Sequence, residues 1–405
     1  MIFVFYLFGA LLIFLSFRSL RGGIDYLNYF KKELAKPVPH FAPVVAVIAP
    51  CKGLDAGLKE NLTALLEQDY PNYEVLFIVD DKEDSAVGVL EEVSREAAKY
   101  AKKTKLIVAP KATESGQKVE NLREAVLHIS EGAEIIAFVD SDVRTAKDWL
   151  FNLVAPLEDA TIGATTGYRW FISEKPTFAS ELRSAWNASI ASAFGPNTKE
   201  NFCWGGSMAI RRDAFEELQI REKWRGTLSD DLTVTHAMLD ANLSIHFVPG
   251  ALTPSIGDCT LREMLEFTTR QMKVTRVYAP KLWLVSFLGS GLFCLVMTTA
   301  LLITMAGPQN GIEIFIAIAT LFTVSVLSIS KSWVRLNAVR LVLTDHDEAL
   351  RKQILPQLTL WIISPFIFLY NCVAAVVSRR LVWRGTEYEL LSNTETRIIK
   401  PISHQ

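Results

Sequence analysis

The stretch Ile135-Ile136-Ala137-Phe138-Val139-Asp140-Ser141-Asp142 decides how the rest of the chain is read. Its five apolar residues, β-branched at both ends, have the pattern of a strand buried on both faces. The strand runs straight into two carboxylates separated by one residue. In an open α/β sheet the ligand site lies beyond the carboxyl ends of the strands, where a loop aims both acids at one point. Two hard oxygen donors of this kind suit Mg2+ or Mn2+, ions that share their coordination shell with substrate phosphates. An isolated Asp-x-Asp is more often a simple Asp-Ser turn, so the flanking sequence has to decide.

Upstream, three more strand–helix pairs lead into this segment. Val44 to Ala49 is a continuous apolar strand ending in Pro50-Cys51-Lys52-Gly53, and a helix is predicted from Leu58 to Gln68. Tyr73 to Val79 is a second strand, ending in Asp80-Asp81, followed by an amphipathic helix over Ala86–Tyr100. Leu106 to Ala109 and a helix from Val119 to Ile129 complete the set. Alternation of this kind predicts a doubly wound, mostly parallel α/β sheet. Two strands then end in acids, and in a parallel sheet their carboxyl ends share one side.

Downstream the pattern loosens. Gly163 to Trp170 reads as one strand entering a loop, and Phe178 to Phe194 as a helix. Gly205-Gly206 permits close backbone approach to a ligand before a short strand, Met208 to Ile210. Leu228-Ser229-Asp230-Asp231-Leu232 is a third acidic cluster, opening a helix from Leu232 to Ala241. Ile245 to Val248 is a further strand, and Arg262 to Tyr278 a helix on which Arg270 and Lys273 share a face.

The two ends of the chain read as membrane. Ile2 to Phe17 is uncharged and apolar, and Arg18, Arg21, Lys31 and Lys32 follow it. The positive-inside rule puts those basic residues, and the domain after them, in the cytoplasm. Leu282–Ala306 and Ile314–Ser330 are uncharged spans joined by Gly307-Pro308-Gln309-Asn310-Gly311. Residues 331–353 read as an interfacial helix, and Ile354 to Ser378 as an apolar segment bent by Pro356 and Pro365. Four crossings from an outside amino terminus leave the carboxyl terminus outside, yet Arg379, Arg380 and Arg384 argue for inside. The domain plan is therefore an anchor with its basic flank (1–35), a cytoplasmic α/β domain (36–280), a membrane region (281–378) and a polar tail (379–405).

Composition narrows the partners. Half of the 405 residues are hydrophobic and the net charge is −2, which excludes a nucleic-acid partner on bulk electrostatics. The five cysteines are scattered without a CxxC spacing, so neither a zinc site nor a disulfide framework is expected. No P-loop motif is present to support phosphoryl transfer.

A membrane-anchored α/β domain with three ordered acid sites and a basic helix resembles the family 2-like glycosyltransferases of GT-A fold. Within them it is most similar to the ceramide glucosyltransferase family (family 21), including its bacterial lipid-glycosylating relatives. Pro50-Cys51-Lys52-Gly53-Leu54-Asp55, Gln68 to Leu76 (the stretch "QDYPNYEVL") and the three acid sites carry the resemblance. It implies that Asp81 contacts the nucleotide, that Asp140 and Asp142 hold the metal and diphosphate, and that Asp231 is the catalytic base. It also implies that Lys118 lies at the nucleotide sugar and that Arg270 and Lys273 occupy the family's (Q/R)xxRW motif. Here Lys273 stands for Arg and Val274 for Trp, which counts against a polymerising enzyme.

What the resemblance implies is inverting, metal-dependent transfer of a hexose, glucose first, from a UDP-sugar to a lipid hydroxyl. The acceptor is ceramide, a hopanoid or another hydroxylated lipid, in a bacterial inner or Golgi-type membrane. Two other readings remain: a processive polysaccharide synthase of the same fold, and a membrane scaffold with a decayed site.

Overall fold

The structure is a computed structural model describing residues 2–37, 41–98, 103–307 and 311–401. Its strands are β1 Val45–Pro50, β2 Tyr73–Val79, β3 Lys103–Val108, β4 Ile135–Val139, β5 Ile162–Thr166, β6 Arg169–Ile172, β7 Ser207–Arg211, β8 Ser244–Phe247, β9 Thr253–Ile256, β10 Arg380–Trp383, β11 Thr386–Leu390 and β12 Thr396–Pro401. Its helices are α1 Ile2–Leu34, α2 Leu58–Leu66, α3 Val87–Ala98, α4 Gln117–Ala125, α5 Trp149–Val154, α6 Phe178–Ala191, α7 Arg212–Glu217, α8 Ile220–Lys223, α9 Asp230–Asp240, α10 Leu261–Tyr278, α11 Pro280–Ala306, α12 Gly311–Arg340, α13 Asp347–Lys352, α14 Ile354–Thr359 and α15 Ser364–Val377. The chain divides into two compact units.

The α/β unit comprises residues 32–175, 193–258 and 379 onward. A seven-stranded sheet, in the order β3-β2-β1-β4-β7-β5-β8, runs through it. β1 lies between β2 and β4, parallel to both, with Val45 level with Tyr73 and Ile135. β7 is antiparallel to β4 and β5, so the sheet is mixed but mostly parallel, as expected. β1, β2 and β4 are apolar and buried along their length, the signature of strands covered on both faces. Ile48, Ile78, Phe138, Met208 and Trp224 meet in the core beneath the sheet.

The single strand expected over 163–170 is two strands in different sheets, because Gly167 breaks it. Its amide bonds Ser207 and a β-carbon there would sit 2.0 Å from the Ala251 carbonyl oxygen. β6 leaves to pair with β9 and carries Arg169 away from the main sheet. The stretch expected as a polar tail also differs. Residues 380–401 form a three-stranded antiparallel sheet, β10-β11-β12, that belongs to the α/β unit. The last residues of that tail, 402–405, fall outside the described residues, as does part of the expected linker (38–40).

The helical unit comprises residues 1–31, 176–192 and 259–378. Three helices, α1, α11 and α12, are long and apolar enough to cross a membrane. Phe5 and Leu12 of α1 pack with Phe293, Val296 and Met297 of α11 and with Ala317 and Val324 of α12. Residues 308–310 of the expected link between α11 and α12 lie outside the described residues. The break expected at Lys331 is absent and α12 runs on to Arg340. Two of its charges turn inward instead: Lys331 Nζ donates to Ser19 Oγ (2.7 Å) and Arg335 Nη2 to Gln357 Oε1 (3.3 Å). α14 and the α15 that follows are bent by 55° near Pro365, as the prolines predict.

Candidate active site

The acids gather at the edge of the sheet because of the strand order. β2, β1 and β4 are parallel neighbours, so Asp80-Asp81, the loop Lys52 to Asp55 and Asp140-Ser141-Asp142 emerge side by side. β7 runs the other way and brings Gly205-Gly206 to the same edge. The amino ends of α4 and α9 supply Lys118 and the Asp230-Asp231 pair.

Asp140 is the hub. Its Oδ1 lies 2.8 Å from Lys118 Nζ and its Oδ2 3.2 Å from Arg169 Nη2. The same guanidinium reaches Asp142 Oδ2 through Nη1 at 3.1 Å, so Arg169 spans the Asp-x-Asp motif. Trp204 lies under it, 4.6 Å from guanidinium carbon to ring centre, and fixes its plane. Lys118 also stands 3.4 Å from Asp230 Oδ2. Asp231 is locked in place: Oδ2 accepts from the Gly205 amide (3.2 Å), while Oδ1 accepts from the Leu232 amide (2.8 Å) and from Ser229 Oγ. The paired glycines are required by this packing. A β-carbon at Gly205 would lie 2.2 Å from Asp230 Oδ2, and one at Gly206 2.7 Å from Asp140 Oδ2.

Burial and neighbouring charge split the carboxyl groups. Burial alone would raise Asp140, but Lys118 and Arg169 outweigh it and hold its carboxyl below the usual range. Asp230 is 4% exposed, and burial pushes it up to about 7 against the pull of Lys118. The first acid site is different. Asp80 is buried and paired with Lys52 at 2.8 Å, whereas Asp81 is half exposed and paired with Lys111 at 3.2 Å.

A sequence profile described as glycosyl transferase family 21 matches residues 12–396. The chain belongs to that family. It is similar to a ceramide glucosyltransferase of Komagataella phaffii, with 31% identity over 74 residues. That match spans 18% of this chain and 14% of the relative. Among solved structures it is similar to a mannosyltransferase from Pyrobaculum calidifontis in complex with GDP-Man and Mn2+ (19% identity, 91% of this chain and 98% of that one, TM-score 0.46). It is also similar to glucosyl-3-phosphoglycerate synthase from Mycobacterium tuberculosis in complex with Mn2+ and UDP-glucose (14% identity, 61% of this chain and 80% of that one, TM-score 0.34).

In this family 21 chain the structure brings Lys118, Asp140, Asp142 and Asp231 into one cluster and puts Asp81 at the end of β2, on the far side of β1. Arg270 and Lys273 lie on α10 of the helical unit. Within the α/β unit, Lys118 and Arg169 touch the Asp140-Ser141-Asp142 acids and Arg384 touches Asp55. Sequence reading missed Arg169 and Arg384. Only Gly385 between two short alternating stretches hinted at the turn that carries Arg384, since Arg-Gly is not among the usual hairpin pairs. Arg169 carries no comparable signal, since nothing local ties it to acids 27 and 29 residues away.

The residues fit a divalent cation of a particular kind. Asp142 Oδ1 is buried and makes no hydrogen bond among the described residues, leaving one hard donor unspent. No group of three or more His, Cys, Asp or Glu side chains there makes a protein-only cage. Asp142 would offer that donor directly and Asp140 by trading a contact to Lys118 or Arg169, and a shell otherwise left to phosphate and water suits Mg2+ or Mn2+.

Proposed function

We propose that this protein transfers a hexose, glucose first, from a UDP-sugar to a hydroxyl of a membrane lipid, with inversion at the anomeric carbon and with Mg2+ or Mn2+. The observation that carries the reading is the Asp140–Lys118–Arg169–Asp142 cluster beside Asp230-Asp231 in a family 21 chain. Charge arithmetic supports the metal. Asp55, Asp140, Asp142 and Asp231 face Lys118, Arg169 and Arg384, which leaves 3 − 4 = −1 even with Asp230 protonated. A diphosphate adds more negative charge, so a dication at Asp140 and Asp142 would supply the missing positive charge at the leaving group.

The chain's own residues do the rest. Lys118 and Arg169, fixed by Asp140 and Trp204, present positive charge where the diphosphate leaves. Asp231, held by three donors, takes the proton of the acceptor hydroxyl, and attack from the face opposite the diphosphate inverts the sugar centre. The buried Asp230 lies beside it and shares Lys118. Apolar helices α1, α11 and α12 favour an acceptor that stays in the bilayer, and the basic flank of α1 favours a cytoplasmic active site.

The C-terminal sheet bears on the topology. Residues 32–175, 193–258 and 379 onward share one compact unit, which favours an even number of membrane crossings between 259 and 378. With α11 and α12 as that pair, the bent α14 and α15 enter and leave by one face. That topology would keep Arg379, Arg380 and Arg384 on the side of the catalytic unit, in keeping with their charge.

Membranes containing the protein, incubated with several radiolabelled UDP-sugars and a lipid extract, test the reading. A labelled lipid that requires Mg2+ or Mn2+ is expected. A long water-soluble labelled polymer would replace it with a synthase, and no transfer and no nucleotide binding would overturn it. Asp231→Asn is expected to abolish transfer while sparing UDP-sugar binding; equal loss of both removes Asp231 as the base.

A further inference from the structure

The turn between β10 and β11 is made by Arg384 and Gly385, both in the left-handed region (φ 47° and 76°). This is the two-residue connection that a twisted hairpin favours, and Arg is an unusual residue at a position that suits Asn or Gly. Its side chain is held. Nη2 lies 2.7 Å from Asp55 Oδ1 and 2.8 Å from Asp55 Oδ2. Asp55 Oδ2 also accepts from Ser141 Oγ at 3.0 Å, and Ser141 is the middle residue of the Asp140-Ser141-Asp142 motif. The hairpin guanidinium is thus one carboxylate away from that loop. Asp142 and Asp140 both add to the field that favours its charge. Further along β11, the Gln117 amide donates to Tyr388 Oη at 3.2 Å. The hairpin is thereby fastened to the start of α4, one residue before Lys118.

We propose that Arg384 is a donor-binding residue, reaching from the C-terminal hairpin to the diphosphate of the nucleotide sugar. This rests on the reading of the site as one for a nucleoside diphosphate sugar. The planar guanidinium fork matches a carboxylate and a diphosphate equally well, so Asp55 keeps the side chain ordered until the anion arrives. Arg384 remains 45% exposed, so part of the group is open to a ligand, while Asp55 behind it is 14% exposed. With Lys118 and Arg169 it makes a cradle of three cations around one loop. The C-terminal sheet is then a wall of the donor site.

The test uses the purified full-length protein in detergent with Mn2+, titrated with UDP and with UMP. In Arg384→Ala, UDP affinity is expected to fall on the order of tenfold or more, with UMP affinity and melting temperature nearly unchanged. Arg384→Lys keeps the charge without the fork and is expected to fall between. Asp55→Asn, which frees the guanidinium, is expected to lower UDP affinity less than Arg384→Ala does. UDP affinity unchanged in Arg384→Ala overturns the proposal while leaving the function reading intact. Equal loss of UDP and UMP marks Arg384 as structural and also overturns it. If Arg384→Ala does not fold, Arg384→Lys carries the same comparison. A wild-type protein that binds neither UDP nor GDP removes both the proposal and the function reading.

Discussion

The two strands that flank β1 end in acid pairs, yet the two ends are built differently. At the end of β2, Asp81 is half exposed and its partner Lys111 is a surface lysine. At the end of β4, Asp140 is 18% exposed, both of its oxygens are engaged by cations, and Trp204 seats one of those cations. The backbone follows the same contrast. A β-carbon at Gly53, in the loop after β1, would meet nothing within 4 Å and is opposed only by the left-handed backbone there (φ 70°), whereas one at Gly205 or Gly206 would strike Asp230 or Asp140. Identical residue types give a solvated edge in one place and a preorganised charge cluster in the other. Preorganised charge in a dry site contributes to catalysis far more than the same charge in water.

The comparison can be broken most sharply at its hub. Asp140→Asn removes the group shared by Lys118 and Arg169, and sugar transfer is expected to drop roughly 100-fold or more, measured as label incorporated per folded protein. Next comes the crowded backbone. Gly205→Ala is expected to destabilise the α/β unit by roughly 1–3 kcal/mol, read by denaturant unfolding in detergent, while Gly53→Ala, opposed by its left-handed backbone alone, is expected to cost about 1 kcal/mol. A smaller effect belongs to the open edge: Asp81→Asn is expected to raise the donor KM by less than about tenfold and to spare kcat, because exposed pairs are screened. If Asp81→Asn matches Asp140→Asn, the contrast between the two edges is lost.

The smallest effect is expected at an acid outside both clusters. Asp347 is bonded by Arg340 (2.6 Å) and Arg351 (2.7 Å), and these hold its carboxyl down to about 2. A depressed carboxyl stabilises the fold above its ordinary range and loses that contribution as pH falls through the lowered value. Melting curves of wild type and Asp347→Asn are therefore expected to differ slightly near neutral pH and to converge only as pH falls toward about 2.

The sheet was readable because fully buried parallel strands write continuous apolar runs, and Asp80, Asp140 and Asp231 sit at ends or helix starts that such runs mark. What stayed hidden depends on contacts between distant residues. The Gly167 break follows from the Ala251 carbonyl, not from its neighbours. The continuation of α12 past Lys331 follows from Ser19 and Gln357 receiving its charges. The residues after 378 read as a polar tail because short strands with alternating charge and apolar residues bury only one face. Arg169 was invisible for a similar reason: a lone arginine in a strand says nothing until the sheet edge is assembled around it.

Asp55 and Arg384 are 329 residues apart, and the whole helical stretch 259–378 is made between them. During synthesis, then, the α/β sheet can form before the hairpin that Asp55 holds has been made. That hairpin arrives only after the helices of 259–378 have left the ribosome. A chain that stalls before that point carries the acids of the active site but not the hairpin that faces them. With the hairpin as the proposed wall of the donor site, order of manufacture would tie sugar-donor binding to completion of the apolar helices.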